Sequence, residues 1–484
     1  MGLKHIFKPC YEWLMRSVPV LSPYGRKALK DLLSSEWPSL HEIKGELDDL
    51  DHAIAIQRET GDLFNEFASY FAELRDISLT LANLEQEQVL DEVELFEIKT
   101  LALSLLKIQQ HYQHSKLRLD SVDFPDIQPV IKLLNPNQTI SSSFLVYDSY
   151  SSELAGLRRR KLELESRIVG CETGSGKESL RLQRAEMVAE EKSLEYQVRK
   201  ELSNKLKKFS LALYHHLSAA TRLELLLAKS VLAQRWPSCR PEFEKGSQGP
   251  ILVENALNPE IAEVLEAAGK EFCPVSIDLK PGVTVLTGAN MGGKTVAMLT
   301  LAFNSQLARL GFYTFARIFK SPLLDFIAFA GGDSQNHRVG LSSFGAELIN
   351  LSRVMTLIKK GFGLAIFDEF ARSTNPCEGT RFVNALCEFL QQSSCVGLVA
   401  THYDGIDVEG ASFYQVAGLK NHSFSGTLSE EMPPDAVLDR LCANMDYRLE
   451  KVQGAYKVPQ DALHIAGLLG VDHEFLELLK KMYD

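Results

Sequence analysis

The run Val283-Thr284-Val285-Leu286-Thr287 leads directly into Gly288-Ala289-Asn290-Met291-Gly292-Gly293-Lys294-Thr295, and an apolar helical pattern (Val296, Met298, Leu299, Leu301) comes next. No other stretch narrows the fold as far. The spacing G-x-x-x-x-G-K-[ST], met in the order strand, loop, helix, is that of a phosphate-binding loop in an α/β sheet. Its glycines let backbone N–H groups turn toward an anion at a helix N-terminus. Gly288, Ala289, Asn290, Met291, Gly292, Gly293, Lys294 and Thr295 are therefore the expected nucleotide cradle. Within it Lys294 is expected to neutralise the β- and γ-phosphates and Thr295 to offer its hydroxyl to Mg²⁺. A second string, Gly174-Ser175-Gly176-Lys177, imitates part of this pattern. It lacks a preceding strand, has Cys171 where the first glycine belongs and ends on Glu178 instead of a hydroxyl, so it is not read as a second site.

Leu364-Ala365-Ile366-Phe367-Asp368-Glu369 has four apolar residues ending in two carboxylates. At the C-terminal end of a buried strand, Asp368 is suited to the magnesium shell and Glu369 to orienting or deprotonating an attacking water. One carboxylate would serve binding; the second serves hydrolysis. A third apolar run, Cys395 to Thr401, delivers His402 to the same edge, where ligands of open α/β sheets gather. There it is expected near the γ-phosphate.

Around these motifs, short β-rich runs alternate with helical ones from about residue 246: Val283–Leu286, Phe312–Ala316, Leu323–Ala330, Phe362–Phe367 and Cys395–Ala400. The alternation predicts an α/β domain with a mainly parallel sheet over 246–484. Upstream the texture is helical. Residues 1–125 form an all-helical part, with Leu63, Phe64, Phe67, Phe71 and Leu74 at helical intervals. Between Phe124 and Ser143, Pro125, Pro129, Asn135-Pro136-Asn137 and the serine run supply turn chemistry in place of periodicity. Within 126–245 a charged helix over about 151–169, a glycine-rich tip at 170–176 and a long return helix make a helical hairpin. The return helix carries Leu194, Val198, Leu202, Leu206, Phe209, Leu213 and Leu217 on one face, spaced by fours and one three.

The chain of 484 residues carries 63 Asp and Glu against 52 Lys and Arg, a net charge of −11. That argues against a generally basic nucleic-acid coat while leaving room for a local basic surface. The best local cluster is Arg158-Arg159-Arg160-Lys161 with Arg167, interleaved with Glu163 and Glu165. Eight cysteines, at 10, 171, 239, 273, 377, 387, 395 and 442, are widely spaced and are expected as free thiols. No apolar run approaches the ~18 residues of a membrane span, and the first residues have no leader pattern, so a cytoplasmic protein without a membrane partner is expected.

Four strings together resemble the ATPase motifs of the MutS family, in order and at similar spacing. They are Thr287 to Thr295, Ser342-Ser343-Phe344-Gly345-Ala346-Glu347-Leu348, Asp368-Glu369-Phe370-Ala371-Arg372 and Ala400-Thr401-His402-Tyr403. Asn-Met-Gly-Gly-Lys is far more specific than a general phosphate loop. The resemblance covers roughly 246–484, and more weakly the upstream helices resemble the family's core, lever and clamp. It implies an ABC/MutS-like P-loop ATPase using ATP and Mg²⁺, preceded by an all-α core and lever with a long helical hairpin. It also implies a homodimer, or a heterodimer with a related subunit, in which a serine-containing segment, here Ser342 or Ser343, closes the partner's nucleotide. By the same resemblance Phe272 stacks on adenine and Asn290 contacts phosphate. Val452-Gln453-Gly454 and Ala462 to Asp472 resemble the helical dimerisation tail.

The sequence also departs from the family pattern. Asn375-Pro376-Cys377-Glu378 replaces a Ser/Thr-rich turn, Ala289 stands where proline is usual, and no histidine stands just before Val452. The strings Phe64-Asn65-Glu66 and Phe71-Ala72-Glu73 have the local form of a mismatch-reading motif but fall in an amphipathic helix, where the phenylalanines are expected in the core. The additional recognition domains and the nuclease tail of larger family members are not expected here. The resemblance therefore implies a DNA-associated, mismatch-repair-related ATPase that grips DNA through its hairpin. The alternative is a reactivating factor for an adenosylcobalamin-dependent aminomutase such as lysine 5,6-aminomutase, whose accompanying proteins the turn Phe370 to Pro376 resembles.

Overall fold

A computed structural model of the chain describes residues 8–137, 146–170, 174–244, 246–288, 293–331, 343–419, 445–452, 466 and 471–483. The chain divides into two compact units. One comprises Met1–Val18, Asp31–Asp51 and Val231–Asp484, the other Pro19–Lys30 and His52–Ser230.

The first unit holds two sheets, built from β1 (Glu242–Phe243), β2 (Ile251–Ala256), β3 (Val275–Leu279), β4 (Gly282–Thr287), β5 (Ile318–Ser321), β6 (Phe326–Ala330), β7 (Gly363–Asp368), β8 (Val396–Ala400), β9 (Ser412–Leu419) and β10 (Met445–Lys451). The larger sheet has the order β10-β9-β4-β8-β7-β6 and the smaller β1-β5-β2-β3. In the larger sheet every pairing is parallel except β10 on β9. Its central strands are buried throughout, as parallel strands covered on both faces must be. Alternate residues serve opposite faces. Leu364 and Ile366 of β7 join Met298 and Leu301 of the helix Lys294–Arg309. Ala365 and Phe367 join Val354 and Leu357 of the helix Ser343–Ile358 and Val383 and Leu386 of the helix Pro376–Gln391. A parallel sheet sandwiched by helices brings the C-terminal ends of β4, β7 and β8 to one edge.

The run Phe312–Ala316 is not the strand its composition predicts. Gly311 takes a left-handed φ of 70° and Phe312 N–H bonds to Leu307 O, closing the helix before it. Thr314 then makes only an isolated bridge to Cys239, and Phe315 N–H is taken by Asn304 Oδ1. The run is a buried plug whose backbone is satisfied without a ladder; the strand comes later, at β5.

The second unit is helical. Its elements include Leu63–Glu73, where Phe64, Phe67 and Phe71 are buried, and Glu92–His114, opened by a capping box of Asp91 and Glu94. The stretch expected to be turns contains a short helix, Gln128–Leu134. Pro129 sits in its first turn, where a missing N–H costs nothing, and Val130 and Leu134 bury one face. The hairpin arms are Ser152–Val169 and Gly174–Lys207. The return arm does not run on unbroken to the end of the apolar stripe. It stops at Lys207 and a new helix, Ser210–Arg235, begins after a tightened turn in which Phe209 N–H bonds to Leu206 O. The single spacing of three in the apolar stripe falls on that turn, as three residues per turn requires. The stripe stays buried across the break at Leu202, Leu206, Leu213 and Leu217.

Candidate nucleotide site

Strand β4 lies between β8 and β9 and releases the chain at Gly288. Gly288 has φ +137° and Gly293 φ +82°, conformations that side-chain-bearing residues rarely adopt. Ala289, Asn290, Met291 and Gly292 lie outside the described residues. Gly293 caps the helix that begins at Lys294, so this end of the loop is a helix N-terminus, as the sequence predicts. Lys294 is buried, and its Nζ donates to Gly288 O at 2.7 Å across the mouth of the loop. Burial pushes its pKa down, while the charges of Glu369 and Asp368 oppose that shift.

Opposite the loop, β7 ends on Asp368. Thr295 Oγ1 donates to Asp368 Oδ2 at 2.8 Å, joining the two motifs that are 73 residues apart. The other carboxylate oxygen, Oδ1, is buried with no hydrogen-bond partner among the described residues. Burial raises the Asp368 pKa and the Glu369 charge adds to the rise, against the Thr295 hydrogen bond and the charges of Lys294 and Arg372. A hydroxyl beside a carboxylate with one orphaned oxygen fits a hard cation that prefers oxygen ligands. Among the described residues no group of three or more His, Cys, Asp or Glu side chains is set to hold a metal. A cation here would complete its shell from phosphate and water, the habit of Mg²⁺ in nucleotide sites.

Glu369 comes next with φ +51°, its N–H on Ala400 O at 3.1 Å and its Oε2 3.2 Å from Arg372 Nη1. The left-handed residue turns the chain out of the ladder at the place where the second carboxylate is needed. Space behind is tight: a Cβ on Gly331 would come within 2.3 Å of Asp368 Cβ, so only glycine lets the end of β6 approach there. From β8, Thr401 N–H bonds to Leu286 O at 3.1 Å, and His402 is next in the chain with its ring 4.6 Å from that of Tyr403. His402 Nδ1 is buried and has no hydrogen-bond partner among the described residues. Lys294, Thr295, Asp368 and Glu369 are thus brought together at one sheet edge, with His402 leaving the neighbouring strand.

Ser343 opens the helix Ser343–Ile358, and Ser342 lies outside the described residues. Phe272 is half-buried in the stretch leading into β3, in the smaller sheet. Among the described residues, Tyr447 of β10 also lies against the loop: a Cβ on Gly293 would lie 3.0 Å from its Cδ1. Sequence reasoning missed Tyr447 because a strand so far downstream gives no local sign of returning to the loop; its alternation of Met445, Tyr447 and Leu449 was the available signal. In the C-terminal tail, Gln453, Gly454 and Ala462 lie outside the described residues, as do Cys171 and Cys442. Cys10, Cys239, Cys377, Cys387 and Cys395 are free thiols.

The basic cluster of the hairpin is only partly available. Arg158 is paired with Asp148 at 2.6 Å, Glu191 at 3.0 Å and Glu195 at 2.7 Å, and Lys161 is paired with Glu191 as well. These two cations cross-link the arms. Arg159, Arg160 and Arg167 remain exposed.

The family model of MutS domain V matches residues 284–433, from β4 to beyond β9. Among curated relatives, an Endonuclease MutS2 of Synechocystis is 27% identical over 257 residues, covering 48% of this chain and 31% of the relative. A MutS2 protein of Bacillus subtilis is 24% identical over 475 residues, covering 83% of this chain and 57% of the relative. A DNA mismatch repair protein MutS of Staphylococcus aureus is 28% identical over 220 residues, covering 44% and 25% respectively. The chain thus spans between a quarter and somewhat over half of the length of these relatives. No helix among the described residues is long and apolar enough to cross a membrane.

Proposed function

We propose that this chain is a MutS-family ATPase, on the match of residues 284–433 to MutS domain V, a P-loop ATPase domain, and that it binds ATP with Mg²⁺ and hydrolyses it to ADP and phosphate. The observation that carries the reading is the Thr295–Asp368 hydrogen bond beside an unpartnered Asp368 oxygen, with Glu369 next in the chain. Mg²⁺, held through Thr295 and Asp368, would supply charge neutralisation at the β- and γ-phosphate oxygens. Lys294 exchanges its bond to Gly288 O for the phosphates, and the N–H groups of Gly288 to Gly293 cradle them. Glu369 orients a water in line with the γ-phosphorus and accepts its proton as the bond to the leaving ADP oxygen breaks. His402, with a free ring nitrogen, contacts the γ-phosphate. Phe272 stacks on the adenine, and Ser342 or Ser343 of a second protomer closes the site.

The test is calorimetric titration of ATP with and without a magnesium chelator. Magnesium is expected to tighten binding to the wild type and to lose that effect in Asp368→Asn. Equal affinities under all conditions would count against the site.

In this reading, 246–484 is the ATPase part, and 1–125 with the hairpin region 126–245 forms a core and lever that acts on DNA. The names of the MutS and MutS2 relatives support DNA as the partner. The remaining exposed arginines are the contacts to test. Replacing Arg159, Arg160 and Arg167 by Ala is expected to weaken duplex binding and flatten its salt dependence, by a slope of about 0.9 per lost phosphate contact. The pairing of Arg158 and Lys161, together with the net charge of −11, favours a second reading in which the hairpin meets a protein. The partner would then be a cobalamin-dependent aminomutase, and ATP-dependent recovery of an inactivated aminomutase with no DNA binding at low salt would select that reading.

A further inference from the structure

The turn beyond the catalytic carboxylates is unusual in its backbone. Glu369 at φ +51° and Ala371 at φ +64° are both left-handed without being glycine. Such residues persist only where their surroundings hold them. Three contacts do so. The Ala371 N–H donates to Glu347 Oε2 at 2.7 Å, the Ser373 hydroxyl donates to Glu347 Oε1, and the Tyr403 hydroxyl donates to Ala371 O at 2.9 Å. Glu347 therefore spends one oxygen on each of two donors from the same turn. It reaches them from the helix Ser343–Ile358, and the packing runs alongside. Phe344 of that helix meets Phe382 edge-on at 5.3 Å, Phe382 meets Phe370 of the turn at 6.4 Å, and Phe370 meets Phe367 of β7 at 6.2 Å.

We propose that Glu347 is a positioning residue for Glu369, acting through the backbone of Ala371 and Ser373 to hold the left-handed turn that aims the second carboxylate. The role rests on the ATPase reading above and adds to it a group that touches neither nucleotide nor metal. Without the Glu347 carboxylate, the Ala371 N–H and the Ser373 hydroxyl lose their acceptor and the turn is free to relax toward right-handed backbone. Glu369 would then swing from its aim, while Lys294, Thr295 and Asp368, held by other contacts, would stay in place. A misplacement of about 1 Å at a reacting group costs up to about a hundredfold in rate.

Glutamine at 347 distinguishes positioning from charge. Its oxygen can still accept from the Ala371 N–H, and its NH₂ can donate to the Ser373 oxygen, so both links survive without the negative charge. The experiment measures kcat, KM and MgATP affinity of the full chain for the wild type, Glu347→Ala, Glu347→Gln and Ser373→Ala. For Glu347→Ala, kcat is expected to fall about ten- to a hundredfold with MgATP affinity within about twofold of wild type, and Glu347→Gln is expected to recover most of the loss. Ser373→Ala, which removes one link only, is expected to lose severalfold in kcat and serves alone if Glu347→Ala does not fold. Unchanged kcat in Ser373→Ala and in any folded Glu347→Ala, or a loss that tracks nucleotide affinity, would overturn the positioning role while leaving the ATPase reading intact. A wild type that binds MgATP but shows no hydrolysis dependent on Glu369 would overturn the ATPase reading itself, and the positioning role with it.

Discussion

Lys294 is buried and Asp368 half-buried, each against the preference of its charge, and each shift has a consequence for pH. Asp368, shifted up, binds its proton more readily folded than unfolded. Its carboxylate therefore costs stability as pH rises from the ordinary carboxylate value of about 4 through the folded value, and the cost stays in force at neutral pH. Lys294, shifted down, costs stability as pH falls from its unfolded value of about 10.4 through its folded one. A polyphosphate with Mg²⁺ would relieve both. In the nucleotide-free protein, Asp368→Asn is expected to melt a few degrees higher than wild type near neutral pH, with the gap closing below about pH 4. Melts at several pH values check this, and a gap that persists into acid would refute the assignment. Ala371 offers a second residue-scale test. Its left-handed conformation costs roughly 1–2 kcal/mol for a side-chain-bearing residue. Glycine would remove that cost but forfeit a buried methyl worth about 0.8 kcal/mol, so Ala371→Gly should be close to neutral in denaturant melts. Ala371→Val, β-branched at the same φ and buried, should be clearly destabilising.

At the scale of elements, the hairpin shows how far local sequence can be trusted. The apolar stripe from Leu194 to Leu217 fixed which face is buried, and its single three-residue step marked the break at 207–210. The charges could not be assigned in the same way, because whether an arginine faces solvent or the opposite arm depends on the register between arms. That register puts Glu191 and Glu195 beside Arg158 and leaves Arg159 and Arg160 outside. Arg158→Ala would strand the partly buried Glu195 and leave Glu191 with Lys161 as its remaining cation, and is expected to destabilise the helical unit by about 1–3 kcal/mol, the range reduced because the group is partly exposed. A fall in DNA affinity without any change in melting would contradict that. In the other unit, β4, β7 and β8 were legible from their continuous apolar runs, since strands buried on both faces need no alternation. Phe312–Ala316 has the same composition but no neighbour to ladder with, and composition alone does not distinguish the two.

For the molecule as a whole, the sequence pointed to Lys294, Thr295, Asp368 and Glu369 as one site because the loop after β4 and the end of β7 lie at the same edge of a sheet whose strand ends converge. It carried Glu347 and Tyr403 within motifs without assigning them a contact, and it did not disclose Tyr447, because which turn or loop each meets depends on elements brought together by the fold. Nor does one chain complete the proposed cycle if Ser342 or Ser343 acts on a second protomer. Mixing Lys294→Ala with the double variant Ser342→Ala/Ser343→Ala is then expected to restore partial hydrolysis, because a mixed dimer holds one intact composite site. No recovery on mixing would count against action in trans. The central claim is that this chain hydrolyses MgATP with Glu369 as its base, and the most direct measurement is the hydrolysis rate and MgATP binding of the wild type, Glu369→Gln and Lys294→Ala side by side. Hydrolysis by the wild type, a loss of about 10²- to 10⁴-fold with binding retained in Glu369→Gln, and weakened binding in Lys294→Ala are the expected results. Equal background rates in all three proteins would contradict the claim.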